Sequence, residues 1–350
     1  MRWRPYFLRV FMVLLGAVPL SMRAQAYVQA VSGFDSLVRE YNLVSFGNAT
    51  FNGQDSWGGL AVGGNLTLNN FSVAIHSHLV SNSDPSLYVA GQLILSGDSH
   101  LNTGYAYTPN ANGTYNHNGK TFTSTSGGKL IINSGTGDPR TGSAPVNWNW
   151  ATLQSQAITM SQTLAAAQAS GGIAVDGSQN LKFTSNTNAA GIVVFNLDAS
   201  LLGHGTYNGQ NFSNISFALG ANQTAVVNVL NANGKTIFGG GNFNDNSGVA
   251  GRLLWNIAGT GSVSLGQGGQ FYGSVLAPQI NLSNYNTSIN GQVVAGTLNY
   301  SNAELHHTPF NPVGVNVLVP EPSTYALWGV ALCGLGFAWR RRQLARHARE

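Results

Sequence analysis

Short apolar runs, three to ten residues long and fenced by glycine, asparagine and serine, recur along the middle of this chain and leave few folds open to it. They cover residues 60–62, 66–68, 86–95, 129–132, 191–197, 224–230, 252–257, 263–265, 270–276, 280–282 and 289–298. Such runs are too short for helices and alternate only partly, which predicts strands joined by tight turns. From residue 252 onward they arrive about every 10 to 17 residues with Gly or Asn at each junction. That is the spacing expected if each short strand is one side of a coil, as in a parallel β-helix. Asparagine suits such corners because it tolerates left-handed backbone, bonds its own main chain and satisfies other amides when stacked. A β-sandwich would instead show sustained apolar-in, polar-out alternation across paired strands. The expected fold is therefore mainly β, with a parallel β-helix (solenoid)-like body.

One stretch departs from this pattern. Over residues 147–170 the apolar side chains Trp148, Trp150, Leu153, Ala157, Ile158, Met160 and Leu164 recur at steps that give one buried face, among Gln and Ala residues that favour helix. Gly171 and Gly172 follow as a stop signal. The pattern predicts one long buttressing α-helix, about 147–170, lying along the β body between its N-terminal and C-terminal halves. A second, shorter helix is expected over 31–39.

Both ends carry export signals. Arg2, Arg4 and Arg9 precede an apolar run from Val10 to Leu20, and Ala24-Gln25-Ala26 offers a small-x-small cleavage pattern. Residues 1–26 thus read as a signal peptide cut by signal peptidase between Ala26 and Tyr27. Pro19 and Arg23 close the run well short of the roughly 20 residues a bilayer span needs. At the other end, Pro320-Glu321-Pro322 leads into an apolar segment, 325–339, followed at once by Arg340, Arg341 and Arg342. The prolines hold the motif extended and accessible to a processing enzyme. The apolar segment reads as a transmembrane sorting helix serving as a temporary anchor, with the arginines kept in the cytoplasm. These residues resemble the PEP-CTERM sorting signal, which implies an exosortase partner, transient residence in the inner membrane and a Gram-negative host that makes exopolysaccharide. Residues 311–319 form a linker, 320–342 the sorting signal and 343–350 a cytoplasmic tail.

Once these ends are set aside, the charge balance inverts. Nine of the 16 Lys and Arg and two of the 12 Asp and Glu lie in the ends, which leaves seven basic and ten acidic residues and a body near −3. A body so sparsely and weakly acidic is a poor nucleic-acid binder. The one cysteine, Cys333, falls in the sorting helix, so the body has neither a disulfide nor a thiolate metal site.

The body, 27–310, carries a further resemblance. Residues Tyr41-Asn42-Leu43-Val44-Ser45-Phe46-Gly47, then Trp57-Gly58-Gly59-Leu60-Ala61-Val62-Gly63-Gly64-Asn65, are similar to the opening of the choice-of-anchor A family. Gly191 to Asn196, Ala225 to Val229, Leu253 to Asn256, Gly273 to Pro278 and Gly291 to Ala295 resemble its later strands. The resemblance, over roughly 37–300, implies a secreted adhesin-like surface protein with a β-helix-like body, similar in layout to ice-binding solenoids. It carries no enzyme chemistry.

The residues themselves offer little catalysis. His76-Ser77-His78, with Asp84, Asp98 and His100 downstream, is the nearest thing to a zinc set, and it sits in a polar loop context. His306 and His307 are adjacent and would point opposite ways on a strand. Asp55, Asp84, Asp98, Asp138, Asp176 and Asp245 all stand in turn contexts, so paired carboxylates for glycosidase work are not indicated. Glycine clusters at 239–241 and 266–269 lack the Lys-Ser/Thr of a phosphate loop. The expectation is no catalytic residue, no metal site and no cofactor, with calcium at residues 242–246 the one candidate cation, on oxygen ligands of low acidic density. Tyr105, Tyr107 and Tyr115 could stack on sugar rings. The sequence thus predicts a non-enzymatic cell-surface or extracellular-matrix protein that binds polysaccharide or another surface. Its rivals are a structural exopolysaccharide or biofilm matrix component without a ligand, and a polysaccharide-acting β-helix enzyme with carboxylates clustered in a groove. An ice-binding role would need a regular ladder of outward threonines.

Overall fold

The apolar runs are strands, and most lie parallel. The computed structural model describes residues 25–76, 84–133, 137–243, 247–267 and 269–315. Ala26–Val315 form one compact unit. The expected leader up to Ala24 and the whole sorting signal lie outside the described residues.

The body is a solenoid with three faces. The first face stacks Gly191–Asp198, Gln223–Leu230, Leu253–Ile257, the start of Ser274–Tyr285, the start of Val293–Ser301, Tyr41–Ser45, Gly59–Val62, Leu87–Val89 and Ala106–Tyr107, in that order. Every neighbour in this stack is parallel. The order is not that of the chain. The last long strand lies beside the first, Leu43 opposite Val293 and Ser45 opposite Ala295, so beginning and end meet in a seam at the middle of the stack. From the seam one half winds outward to Tyr107, while the other starts at Gly191 and winds back.

Strands of this face are buried on both sides, which is why they read as near-continuous apolar runs. Leu43, Leu60, Val227, Trp255 and Val293 point into the solenoid. Val44, Ala61, Val226, Leu254, Leu276 and Val294 point out, against two helices. One helix runs through residues 26–38 and offers Val31, Phe34, Leu37 and Val38; the other, Trp150–Ala165, offers Leu153, Ala157, Met160 and Leu164. Inside, the wider half is filled by rings: Phe183, Phe217, Phe238, Phe243 and Phe271 surround Trp255 at centroid distances of 5.1–6.0 Å.

The second face takes Lys235–Ile237, Gly261–Gln267, the later parts of Ser274–Tyr285 and Val293–Ser301, then Ala49–Asn52, Leu66–Asn69 and Leu93–Leu95. The third is made of shorter ladders. Gln270–Tyr272, Ser288–Asn290 and Leu305–His306 form one, and Ser72–Val73, Asp98–Leu101 and Lys129–Ile132 another. Bridges at Asp55–Ser72 and Ser56–Leu305 link them across the seam.

Several expectations need correction. The long helix is shorter than 147–170: Asn147 has φ 56°, Asn149 caps the first turn by accepting from the Thr152 amide at 2.9 Å, and Ala166 ends the helix. Gly171 is not its stop signal. A Cβ there would lie 2.1 Å from the buried Phe195 ring, so the glycine is required by close packing. The helix also does not separate two halves, because the halves pair directly at the seam and it covers them from outside. The helix expected over 31–39 already runs at residue 26. The run 86–95 divides into Leu87–Val89 and Leu93–Leu95, since the chain turns a corner between faces there. Not all of the body is parallel: Gly113–Asn116 and Thr121–Ser124 make an antiparallel hairpin on Lys129–Ile132.

Candidate functional site

The second face is the exposed face of the solenoid in which one side of each strand is core and the other is free. Inward side chains include Val263, Leu282, Leu298, Ala49, Leu66 and Leu93, then Leu265, Tyr300, Phe51, Leu68 and Leu95, all buried. Between them runs an outward row across seven strands: Thr236, Ser264, Ser283, Asn299, Thr50, Thr67 and Ile94. Flanking it are Tyr285, Ser301, Asn52 and Asn69 on one side and Ser262, Asn281 and Thr297 on the other.

None of these outward residues is charged. Lys235, on the edge strand, falls in register with the inward-facing Val263. Parallel rungs about 4.8 Å apart place the side chains in straight lines, and neighbours bond along them. Ser264 and Ser283 share a hydroxyl hydrogen bond of 2.7 Å, Thr297 donates to Asn281 Oδ1 at 2.9 Å, and Asn52 donates to Ser301 Oγ at 3.1 Å. At the adjoining corner, Asn48 Oδ1 accepts the Asn65 amide at 2.8 Å and Asn65 Oδ1 accepts the Gln92 amide at 2.9 Å. The two asparagines thus tie together the corners of three successive coils beside this face. Threonines stand at adjacent rungs only at Thr50 and Thr67, so the row is not a regular threonine ladder.

Several charged groups elsewhere in the body are paired. Arg39 bonds Asp84 at 3.0 Å and Lys182 bonds Asp176 at 2.9 Å. Arg140 grips Asp138, whose carboxyl its hydrogen bonds hold below the usual range. On the third face His306 Nε2 meets Glu304 at 2.6 Å and Nδ1 meets Asn290 Oδ1 at 2.8 Å. Trp57 lies between His306 and His76, at 4.3 and 4.7 Å between centroids.

The candidates read from sequence are not gathered. His76 packs on Trp57, Asp84 pairs with Arg39, and His100 neighbours Asn133, while His78 lies outside the described residues. Among the described residues no group of three His, Cys, Asp or Glu is placed to hold a metal. Of the calcium candidate 242–246, residues 244–246 lie outside them. Tyr107 stacks on Tyr88 at 5.7 Å on the first face, and Tyr115 belongs to the capping hairpin, so the tyrosines form no single platform. Ala26 and Tyr27, expected at the signal cleavage point, lie in the first turn of the described helix; Ala24, Pro320, Glu321, Pro322, Arg340, Arg341 and Arg342 lie outside the described residues. Among the described residues no helix is long and apolar enough to cross a membrane.

What the geometry defines is a β-solenoid with one broad face whose outward residues carry no charge. Residues 34–307 match the family described as "Putative Ice-binding-like adhesive domain", and the chain belongs to that family. Residues 318–342 match the PEP-CTERM protein-sorting motif, which implies processing by an exosortase. Together these mark an exported cell-surface protein with a C-terminal anchor. Solved structures similar to it include an ice-binding protein from an Arctic yeast, at 14% identity over 79% of this chain and 94% of that one with a TM-score of 0.32. Another is a domain of Shewanella frigidimarina ice-binding protein 1, at 13% identity over 76% and 93% with a TM-score of 0.30. No curated protein matches it in sequence.

Proposed function

We propose that this is a non-enzymatic, exosortase-sorted surface or matrix protein of a Gram-negative bacterium that adheres to polysaccharide through the flat second face. The observation that carries this reading is the lack of charge across seven rungs of outward residues. A soluble protein surface ordinarily holds about a quarter or more of charged residues. A face kept free of them suits a hydrated neutral polymer, since no ion has to be desolvated on contact. Hydroxyl and carboxamide groups then supply many weak hydrogen bonds, and strength grows with area and multivalency. The layout that fits is a leader at 1–26, the body at 27–310, a linker at 311–319, the sorting signal at 320–342 and a short tail at 343–350. The resemblance to the choice-of-anchor A family supports the same layout.

Introducing charge tests the reading. The full chain is expected to bind at least one immobilised neutral polysaccharide, and Thr50→Lys/Thr67→Lys, at the centre of the face, to bind it at least about tenfold more weakly. The variant should keep the unfolding midpoint of the wild type, because both side chains point outward. Failure of the wild type to bind any polysaccharide would leave the matrix role without a ligand; unchanged binding by the variant would move the contact to another surface.

A further inference from the structure

The second face is not uniform. Near one end it sinks into a trough of about 190 Å³, lined by Thr236, Ser264, Gly266, Ser283, Tyr285 and Asn299. Its cause is local. At Gly266 the ladder bulges, and the register with Ser274–Tyr285 slips between Leu265 and Gln267. A Cβ at Gly266 would lie 2.9 Å from the Phe238 carbonyl oxygen, so no side chain fills the rung there. Thr287 donates to the bulge carbonyl of Gly266 at 2.9 Å and holds the bulge in place. With glycine in one rung and serines 264 and 283 in the next row, the floor is low and hydroxyl-bearing.

Tyr285 stands at the rim. It is 54% exposed and is the one aromatic residue among the exposed large apolar side chains described. A ring left in water at the end of a well-ordered strand is not held there by core packing, and an exposed aromatic beside polar groups is a common binding anchor. Asn299, across the trough, is exposed and its carboxamide bonds no other described residue; Thr236 is likewise exposed. The Ser264 and Ser283 hydroxyls, bonded to each other at 2.7 Å, can each still donate or accept. No charged residue lines the trough.

We infer that this trough is a subsite for one ring of a neutral polysaccharide, with the C–H face of the sugar stacked on Tyr285 and its hydroxyls bonded to Asn299, Thr236 and the serine pair. The chemistry matches on each count. A pyranose has one apolar face, which the electron-rich face of a phenol ring attracts. It also has a rim of hydroxyls that both donate and accept, as carboxamides and hydroxyls do. The trough is smaller than the ~300 Å³ at which drug-sized sites begin, which fits one ring of a chain continuing along the flat rows on either side. A uronate would bring a charge with no cation to meet it.

The inference rests on the polysaccharide reading above, and one experiment separates the two. The full chain, in a detergent without a sugar headgroup, is run in native gels containing a neutral β-glucan, a neutral galactomannan or a polyuronate. Wild type is expected to be retarded by a neutral polymer, Tyr285→Ala about tenfold more weakly, and Tyr285→Phe within about threefold of wild type. Thermal melts of the three should coincide, since the side chain is more than half exposed. If Tyr285→Ala is retarded as strongly as wild type, the subsite is wrong and the polysaccharide reading stands. If wild type is retarded by neither neutral polymer, the broader reading falls and the subsite with it. Retardation by the polyuronate alone overturns the neutral ligand.

Discussion

Asp55 sits where the third face crosses the seam, its backbone bridged to Ser72 and its carbonyl accepting the Leu305 amide at 2.9 Å. Its Oδ1 is buried without a hydrogen-bond partner. Burial first, and then the charge of Glu304, raise its pKa above the usual carboxylate value, against the pull of His306 and His76. Because the folded pKa exceeds the unfolded one, the folded state binds the proton more tightly, and stability falls as pH climbs through the folded value. Asp55→Asn should therefore unfold at a higher temperature than wild type near pH 7. The difference should vanish by about pH 2.5, well below the ordinary carboxyl value, where both states of wild type are protonated. Melts of the two proteins at both pH values check this, and an equal gain at both would show that charge is not the cause. At this scale the sequence was partly misleading. Asp55 looks like a turn former, and only the seam brings Glu304 and two histidines to it from far along the chain.

The helix Trp150–Ala165 is tied to the solenoid by more than apolar contact. Asn196, Asn228 and Asn256 stand in register on three adjacent strands and point out at it. Asn256 donates to the Ser161 carbonyl and to Asn228 Oδ1, both at 2.9 Å, while its Oδ1 accepts from the Ser161 hydroxyl at 2.6 Å. Asn228 donates to the Leu164 carbonyl at 2.7 Å and to Asn196 Oδ1 at 2.9 Å, and Asn196 donates to the Ala167 carbonyl at 3.2 Å. The ladder thus adds side-chain donors to carbonyls at the C-terminal end of the helix, where the Leu164 carbonyl also accepts the Ala167 amide at 3.2 Å. Asn228→Ala removes the middle rung and should cost about 1–3 kcal/mol, seen as a lower denaturant midpoint at unchanged slope. A loss within ~0.5 kcal/mol would mean that water replaces the amide. Stacked asparagines were expected from composition, and the corners at Asn48 and Asn65 bear this out. That a ladder would also clamp a helix was not legible, because Asn196, Asn228 and Asn256 each look like an ordinary polar position inside an apolar run.

The whole molecule joins an ice-binding-like adhesive domain to a C-terminal sorting motif. The sorting proposal is checked in the native host. Wild type is expected at the cell surface or outside the cell at a mass lacking the tail, while Pro320→Ala/Pro322→Ala stays uncut in the inner membrane. Full-length protein in the membrane for both would make the tail an ordinary anchor. The sequence by itself determined the parts set by local chemistry. Strand-length apolar runs, turn residues at each corner, one helical periodicity and the Pro-Glu-Pro tail are all written in neighbouring residues. The tertiary structure alone decided how the coils stack. Pairing of Tyr41–Ser45 with Val293–Ser301 joins residues some 250 positions apart, and parallel strands of similar apolar character carry no mark of which neighbour each will take. The same holds for the second face. Alternation at 280–285 and 297–301 shows that Tyr285 and Asn299 point outward, but both could have lain under a helix, as Val44 and Leu276 do. The helices cover the first face because its strands are apolar on both sides, and that leaves the second, polar on its outer side, open to water.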